Sequence, residues 1–365
     1  MRELTPLEKA IVFLDSAEGI EYKYKKFIIE NFKGDFFGDE KGLSKFFADN
    51  NLSVLGKSIA EMLKDKAYVE KRIASALSGA DDVITLFSVG ETGGYYPESL
   101  RETPAPPLAL YVKGNKELLK AKYKVSIVGS RKTLQQYARA AEDISREISS
   151  NGAVVVSGIA DGADEAALKG ALSSGNVISV TASGVCPVSP SGKQPLAVKI
   201  YENGLVISEY PHGYVPRNFS YPVRNRIIAA LSPVTLIVSG NMKSGARYTA
   251  GYASDYGREI ACLPYGLGVT SGELCKSLIK SGAAEVETAE EVAFMLGINL
   301  EKTAAVKLND KEKSVYESIK SGIDNVDELA LKTGEKVWTL TPVIASLEIK
   351  KVIVKNTDGR LSVLK

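Results

Sequence analysis

The stretch KVSIVGSRKTLQQYARAAEDISREISSNGAVVVSGIADGADEAAL (124–168) decides the fold. It holds two apolar, β-branched runs, VSIV (125–128) and AVVVS (153–157), each closed by a turn bearing Gly and Ser. Between them Tyr137, Ala141, Ile144 and Ile148 fall on one helical stripe. Continuous apolar runs suit strands buried on both faces, and a helix between two such strands is a parallel crossover. The alternation continues through VISVT (177–181), LVIS (205–208), VTLIV (234–238) and IACLP (260–264). A doubly wound, mostly parallel α/β domain is therefore predicted over about 120–297.

The flanks read differently. Residues 1 to about 80 are rich in Lys, Glu and helix formers, with apolar pairs such as Ile11 and Leu14 or Ile59, Met62 and Leu63 at spacings of three and four, the pattern of a small helical domain. Gly94, Pro97, Pro104 and Pro106-Pro107 then predict a linker or extended lead-in. From 308 onward three helical patterns precede VIVK (352–355) and LSVL (361–364) around Asp358-Gly359, a two-residue hairpin signal. Three helices and a hairpin describe a winged helix. The predicted domains are 1–82, 83–300 and 306–365.

Composition narrows the chemistry. The 365 residues carry 46 Lys and Arg against 44 Asp and Glu, a net charge of +2, so a basic surface has to be local. The one histidine, His212, excludes a multi-histidine metal site and reads as a loop residue. Cys186, Cys262 and Cys275 lack the C-x-x-C spacing of a zinc knuckle or redox pair. No metal and no cofactor are expected. With no long apolar run and with Glu3 and Glu8 where a signal peptide is basic, a cytoplasmic protein without a membrane span is expected.

In an open parallel sheet, ligands collect at the carboxyl ends of the strands, where helix N-termini present free amides. The predicted loops there are Gly129-Ser130-Arg131, Ser157-Gly158 leading into Asp161 and Gly162, and Lys243-Ser244-Gly245. Glycine permits close approach, serine adds a hydroxyl, and arginine and lysine add charge: together a phosphate cradle. Between 208 and 258 there are six basic residues, Arg217, Arg224, Arg226, Lys243, Arg247 and Arg258, against Glu209 and Asp255. Tyr214, Phe219 and Tyr221 lie among them as stacking surfaces, a combination that points to single-stranded nucleic acid. Asp161 and Asp164 read as helix N-caps. Neither G-x-G-x-x-G nor the P-loop pattern is present.

The segment SEYPHGYVPRNFSYPVRNRIIAALS (208–232) resembles the DNA-processing protein A family (DprA, also called Smf). YYPESLRETPAPPLALYVKGN (95–115), VSIVGSR (125–131), VVSGIADGADEAAL (155–168), SGARYTAGYASDYGRE (244–259) and SGAAEVETAEEV (281–292) agree in order and spacing. The resemblance implies an extended Rossmann-like fold flanked by a SAM-like helical domain and a winged helix. It implies a non-enzymatic homodimer that binds single-stranded DNA and loads the RecA recombinase onto it. By motif match, Gly129, Ser130, Arg131, Ser157 and Gly158 would hold phosphates. Arg224, Asn225 and Arg226 would line the same basic pocket, Lys243, Ser244 and Gly245 its opposite wall, and Tyr221, in place of the family's usual phenylalanine, would stack on a base. Arg217 is counted with this DNA-binding set.

The chain departs from the family at Leu168 (usually histidine), Cys186 (aspartate), Ser189 (tyrosine), Ser239 (glutamate) and Tyr265 (glycine), changes read as removing polar groups near the pocket. The alternative reading is a Rossmann-like protein that binds nucleotides or hydrolyses nucleoside monophosphates; its P-G-G-x-G-T-x-x-E signature is not found here. The winged helix has a duplex-binding reading in which the helix at 337–349 enters the major groove and Lys350, Lys351 and Lys355 meet phosphates.

Overall fold

The six apolar runs form six neighbouring strands. A computed structural model describes residues 2–88, 93–300, 308–350, 352–356 and 359–363. They fall into two compact units, 1–300 and 301–365.

In the first unit helices α1 to α5 (Pro6–Ser16, Tyr22–Asn31, Glu40–Asp49, Ser53–Lys64 and Lys66–Leu77) come first. Strand β1 (Asp82–Thr85), helix α6 (Glu98–Arg101) and strand β2 (Ala109–Gly114) follow. The alternating part runs β3 (Lys124–Val128), α7 (Gln135–Ser150), β4 (Val154–Ser157), α8 (Ala163–Leu172), β5 (Val177–Val180), α9 (Gln194–Asn203) and β6 (Leu205–Ser208). It continues with α10 (Ser220–Leu231), β7 (Val234–Ile237), α11 (Ala246–Asp255), β8 (Glu259–Cys262), α12 (Glu273–Lys280), β9 (Ala284–Glu285) and α13 (Ala289–Leu296).

The strands form one sheet in the order β1-β2-β6-β5-β4-β3-β7-β8-β9. From β6 to β9 every pairing is parallel, while β1 and β2 are antiparallel additions at the β6 edge. The segment expected to be a linker thus contributes two sheet strands. Its proline-rich stretch is pinned by tyrosine hydroxyls, Tyr22 donating to the Pro106 carbonyl at 2.7 Å and Tyr96 to that of Pro107 at 2.8 Å. Strands β3 to β7 are buried along their whole length, as suits their predominance of Val, Ile and Leu. Ala141, Ile144 and Ile148 of α7 are buried, and Tyr137 stacks on Tyr265 with ring centroids 3.8 Å apart. Helices α7 and α8 pack together, while α10 packs against α11 and beneath β3, β4 and β5. The apolar side chains of α1 to α5 join the same hydrophobic cluster as the sheet.

Strand β3 leads into β4 on one side and borders β7 on the other. The chain reverses its direction of winding between β3 and β7, and the loops leaving their carboxyl ends separate there. This opening positions the site.

In the second unit α14 (Asp310–Lys320), α15 (Val326–Thr333) and α16 (Val337–Ile349) pack with the antiparallel strands β10 (Ile353–Lys355) and β11 (Leu361–Val363) around Val315, Leu329, Leu340 and Leu347. The connection is longer than the two residues expected: Lys355 pairs with Leu361, and the Asn356 amide bonds the Arg360 carbonyl at 2.8 Å. Asp358 of the expected turn lies outside the described residues, as do Lys351 and Leu364. Lys350, expected on phosphate, is paired with the buried Glu312 at 2.6 Å.

Candidate nucleic-acid interface

A cavity of about 360 Å³ opens at the β3 and β7 ends of the sheet. Nine of the thirteen sequence-predicted site residues line it: Gly129, Ser130 and Arg131 after β3; Tyr221, Arg224 and Asn225 on α10; Lys243, Ser244 and Gly245 before α11. Helices α8, α10 and α11 all begin at it, so three positive dipole ends converge on one opening; several of their first amides are already bonded, Ala163 N–H to the Ser130 carbonyl at 3.3 Å and Ala246 N–H to Ser244 Oγ at 3.3 Å. The lining cations are Arg131, Arg224 and Lys243, against one carboxylate, Asp164.

The two rims are built differently. The β3 turn is fixed by its own hydrogen bonds: Ser130 N–H donates to Ser239 Oγ at 3.0 Å, Lys132 N–H to Ser130 Oγ at 3.1 Å, and Gly129 N–H points to Asp164 Oδ1 at 3.4 Å. The amides at 129 and 130, expected to cradle phosphate, are thus engaged within the protein. Arg131 is left at the surface, its guanidinium 5.4 Å from the Tyr221 ring centroid. On the far rim the Asn241 side chain accepts from Lys243 N–H at 2.9 Å and the Asn241 carbonyl from Ser244 N–H at 2.9 Å, a tight turn that leaves the Lys243 ammonium exposed. Asn225 Nδ2 donates to the Gly245 carbonyl at 3.4 Å, tying α10 to this rim. What the cavity offers an anion is side chains and helix ends rather than the β3 turn's backbone.

Its floor is ionic. Arg224 is 4% exposed, donates through Nε to Asn225 Oδ1 at 3.1 Å and also donates to the Val180 carbonyl. Burial lowers its pKa, and the charge of Asp164 opposes that. Asp164 is itself buried, which pushes its carboxyl up to about 6 against Arg224, the Gly129 and Ala160 amides and Arg131. Sequence reading made Asp164 and Asp161 helix caps. In the structure α8 is capped by Gly162, Asp161 pairs with Lys193, and Asp164 faces the cavity. Gly162 has φ +77°, and a Cβ there would meet the Ser130 carbonyl oxygen at 2.4 Å, so only glycine lets this loop pass under the β3 turn.

Four predicted residues lie elsewhere. Ser157 is buried, its hydroxyl donating to the Ile127 carbonyl at 2.6 Å, and it ties β4 to β3. Gly158 sits behind the floor, where a Cβ would meet Asp164 Oδ2 at 2.3 Å and Arg224 at 2.8 Å; its role is to make room for that pair. Arg217 is exposed in the loop before α10 and does not line the cavity. Arg226 points away from it: residues two apart on a helix are turned by about 200°, and Arg226 forms a buried ion pair with Glu209.

Ser239, read as the loss of a glutamate, is the acceptor that holds Ser130, with Thr133 Oγ1 at 2.6 Å as well. Leu168 is core, and Tyr265 donates to the Val238 carbonyl at 3.0 Å. His212 Nδ1 lies 2.9 Å from the Cys186 carbonyl in a loop contact. Among the described residues no cluster of His, Cys, Asp or Glu is arranged to hold a metal, and no helix is long and apolar enough to cross a membrane.

Residues 89–297 match the model of the family described as DNA recombination-mediator protein A. The chain is 34% identical over 206 residues to Protein Smf of Synechocystis, covering 55% of this chain and 52% of that one, so it matches about half that relative's length. It is 36% identical over 200 residues to the DNA processing protein DprA of Streptococcus pneumoniae, covering 54% and 70%. The X-ray structure of the S. pneumoniae DprA superposes with a TM-score of 0.62 at 25% identity, over 82% of this chain and all of that one. A Helicobacter pylori DNA processing protein A, whose structure is described as giving insight into its single-stranded DNA binding mode, superposes with a TM-score of 0.53 at 29% identity, over 59% and 95%.

Proposed function

Because the chain belongs to the DNA recombination-mediator protein A family, we propose that it binds single-stranded DNA in this cavity. The observation that carries the reading is the convergence of three helix N-termini with Arg131, Arg224 and Lys243 at the β3 and β7 ends of the sheet. Phosphates meet the Arg131 and Lys243 side chains at the mouth, the Ser244 hydroxyl and Asn225 amide supply neutral hydrogen bonds, and Arg224 supplies field from the floor. The H. pylori relative, described as binding single-stranded DNA, supports the choice of ligand.

The finer parts of the reading follow the same resemblance. The protein acts by binding, without turnover, as a cytoplasmic homodimer, and hands single-stranded DNA to the RecA recombinase. Its N-terminal helices serve as a SAM-like domain and residues 306–365 as a winged helix. The direct test is fluorescence anisotropy with a single-stranded oligonucleotide and its duplex. We expect preference for the single strand and a loss of roughly tenfold or more in Arg131→Ala/Lys243→Ala; equal binding by the variant would refute the pocket. RecA loading is read by filament formation on oligonucleotides precoated with single-strand-binding protein, which this protein should accelerate.

A further inference from the structure

A second cavity, of about 570 Å³, lies among the amino-terminal helices, bordered by α3, α4, the start of α5 and the loop that precedes α3. Its inner surface is hydrocarbon. Phe36, Leu43 and Phe47 line it and are buried, and Phe37 and Leu63 line it half-buried. Phe36 and Phe37 meet edge to face with ring centroids 5.3 Å apart, and each lies 6.2 Å from the ring of the fully buried Phe13. The core thus fixes the aromatic wall from behind, which makes the cavity a preformed one.

The rim is cationic. Lys57, Lys64 and Lys66 border the cavity with one carboxylate, Glu40. Lys64 is bridged to Glu61 at 2.7 Å, while Lys57 and Lys66 are exposed and have no ion-pair partner among the described residues. The nearby Asp65 carboxylate is engaged at the start of α5, accepting from Tyr68 N–H at 3.0 Å. In a chain whose charges nearly cancel, this local excess favours an acidic ligand. Lys57 and Lys64 stand two turns apart on α4, about 10 Å along its axis. One carboxylate cannot span that distance, so the ligand carries several acids in a row. The remaining polar side chains of the lining are Ser44 and Ser53. A nucleobase set against these phenylalanines would leave ring nitrogens and carbonyls unpaired, a cost that an apolar side chain does not meet.

We propose that this cavity docks an acidic segment of a partner protein, whose phenylalanine- or leucine-sized side chains fill the aromatic floor while its carboxylates meet Lys57 and Lys66. The inference stands independently of the DNA-binding reading, since no residue lines both cavities.

The test is fluorescence anisotropy on the full chain with a labelled pool of peptides of about 12 residues, long enough to pass both lysines of α4. Each peptide carries phenylalanines or leucines among aspartates and glutamates. We expect saturable binding that weakens roughly tenfold or more when the acids are replaced by their amides, and likewise when the apolar residues are replaced by serine. Lys57→Glu/Lys66→Glu should bind the acidic pool roughly tenfold more weakly. Ala48→Trp, which fills the cavity from an exposed lining position, should abolish binding. All three positions are exposed, so the variants should fold, and matched circular dichroism melts check this. A parent that binds no peptide of the pool, or variants that bind as the parent does, overturns the proposal. Displacement of the peptides by an oligothymidylate would give the cavity to nucleic acid. Self-association of the parent that Lys57→Glu/Lys66→Glu abolishes in sedimentation would give it to a second copy of this chain. Either result also overturns the peptide reading.

Discussion

Asp164 and Arg224 lie buried beneath the cavity, both against the one position, Gly158, that has no side chain to part them. The arginine is therefore a charge whose effect at the surface depends on the protonation of its neighbour.

Burial raises the Asp164 carboxyl to about 6 in the folded protein. A carboxyl raised above its unfolded value holds its proton more tightly when folded. Its contribution to stability is therefore full below about pH 4 and is lost as the pH rises through about 6. Below that point the Arg224 charge also acts on the cavity uncompensated. We expect single-stranded DNA affinity to rise several-fold from pH 7.5 to 5.5, on the order of 1 kcal/mol. Asp164→Asn should bind at pH 7.5 as the parent does at 5.5 and show little pH dependence. Titration of oligonucleotide binding at fixed salt checks both, and a flat parent profile would sever the link between floor and mouth.

Arg226 should behave as a structural residue although it shares a motif with Arg224. Arg226→Ala leaves Glu209 charged and buried, a loss of about 3–5 kcal/mol in chemical denaturation. The protein that remains folded should bind single-stranded DNA with the parent's affinity. A large affinity loss without destabilisation would place Arg226 in the interface after all.

Ser239→Ala removes the acceptor for Ser130 N–H and the partner of Thr133. An unmade hydrogen bond at this partly buried turn costs about 1–3 kcal/mol, and Arg131, carried on the turn, loses its anchoring. Lower denaturant midpoint together with weaker DNA binding is the expected outcome; unchanged binding would mean that Arg131 needs no fixed turn.

Much of this architecture was legible in the sequence, for a physical reason. Strands β3 to β7 sit in the buried, parallel part of the sheet, so their runs rich in Val and Ile stand out from the helices between them. Strands β1 and β2 were hidden because the glycines and prolines between them read as linker, and β9 is only two residues long. The convergence of the 129, 221–225 and 243 segments followed from the rule that ligands gather at the carboxyl ends of parallel strands. Arg226 was misplaced because the R-N-R motif was treated as one basic unit, although a 200° turn separates its two arginines. Asp164 and Ser239 were misjudged for a related reason: short polar side chains near a helix start look like caps or gaps until the opposite loop, here Gly129-Ser130, is in place.

The salt dependence of single-stranded DNA binding tests the cavity most directly, since each neutralised phosphate contributes a slope of about −0.7 in log affinity against log salt. The parent should bind with a clearly negative slope, and Arg131→Ala/Lys243→Ala should bind more weakly with a slope shallower by about 1.4, two phosphate contacts fewer. A double variant that keeps the parent's affinity and slope would contradict the account.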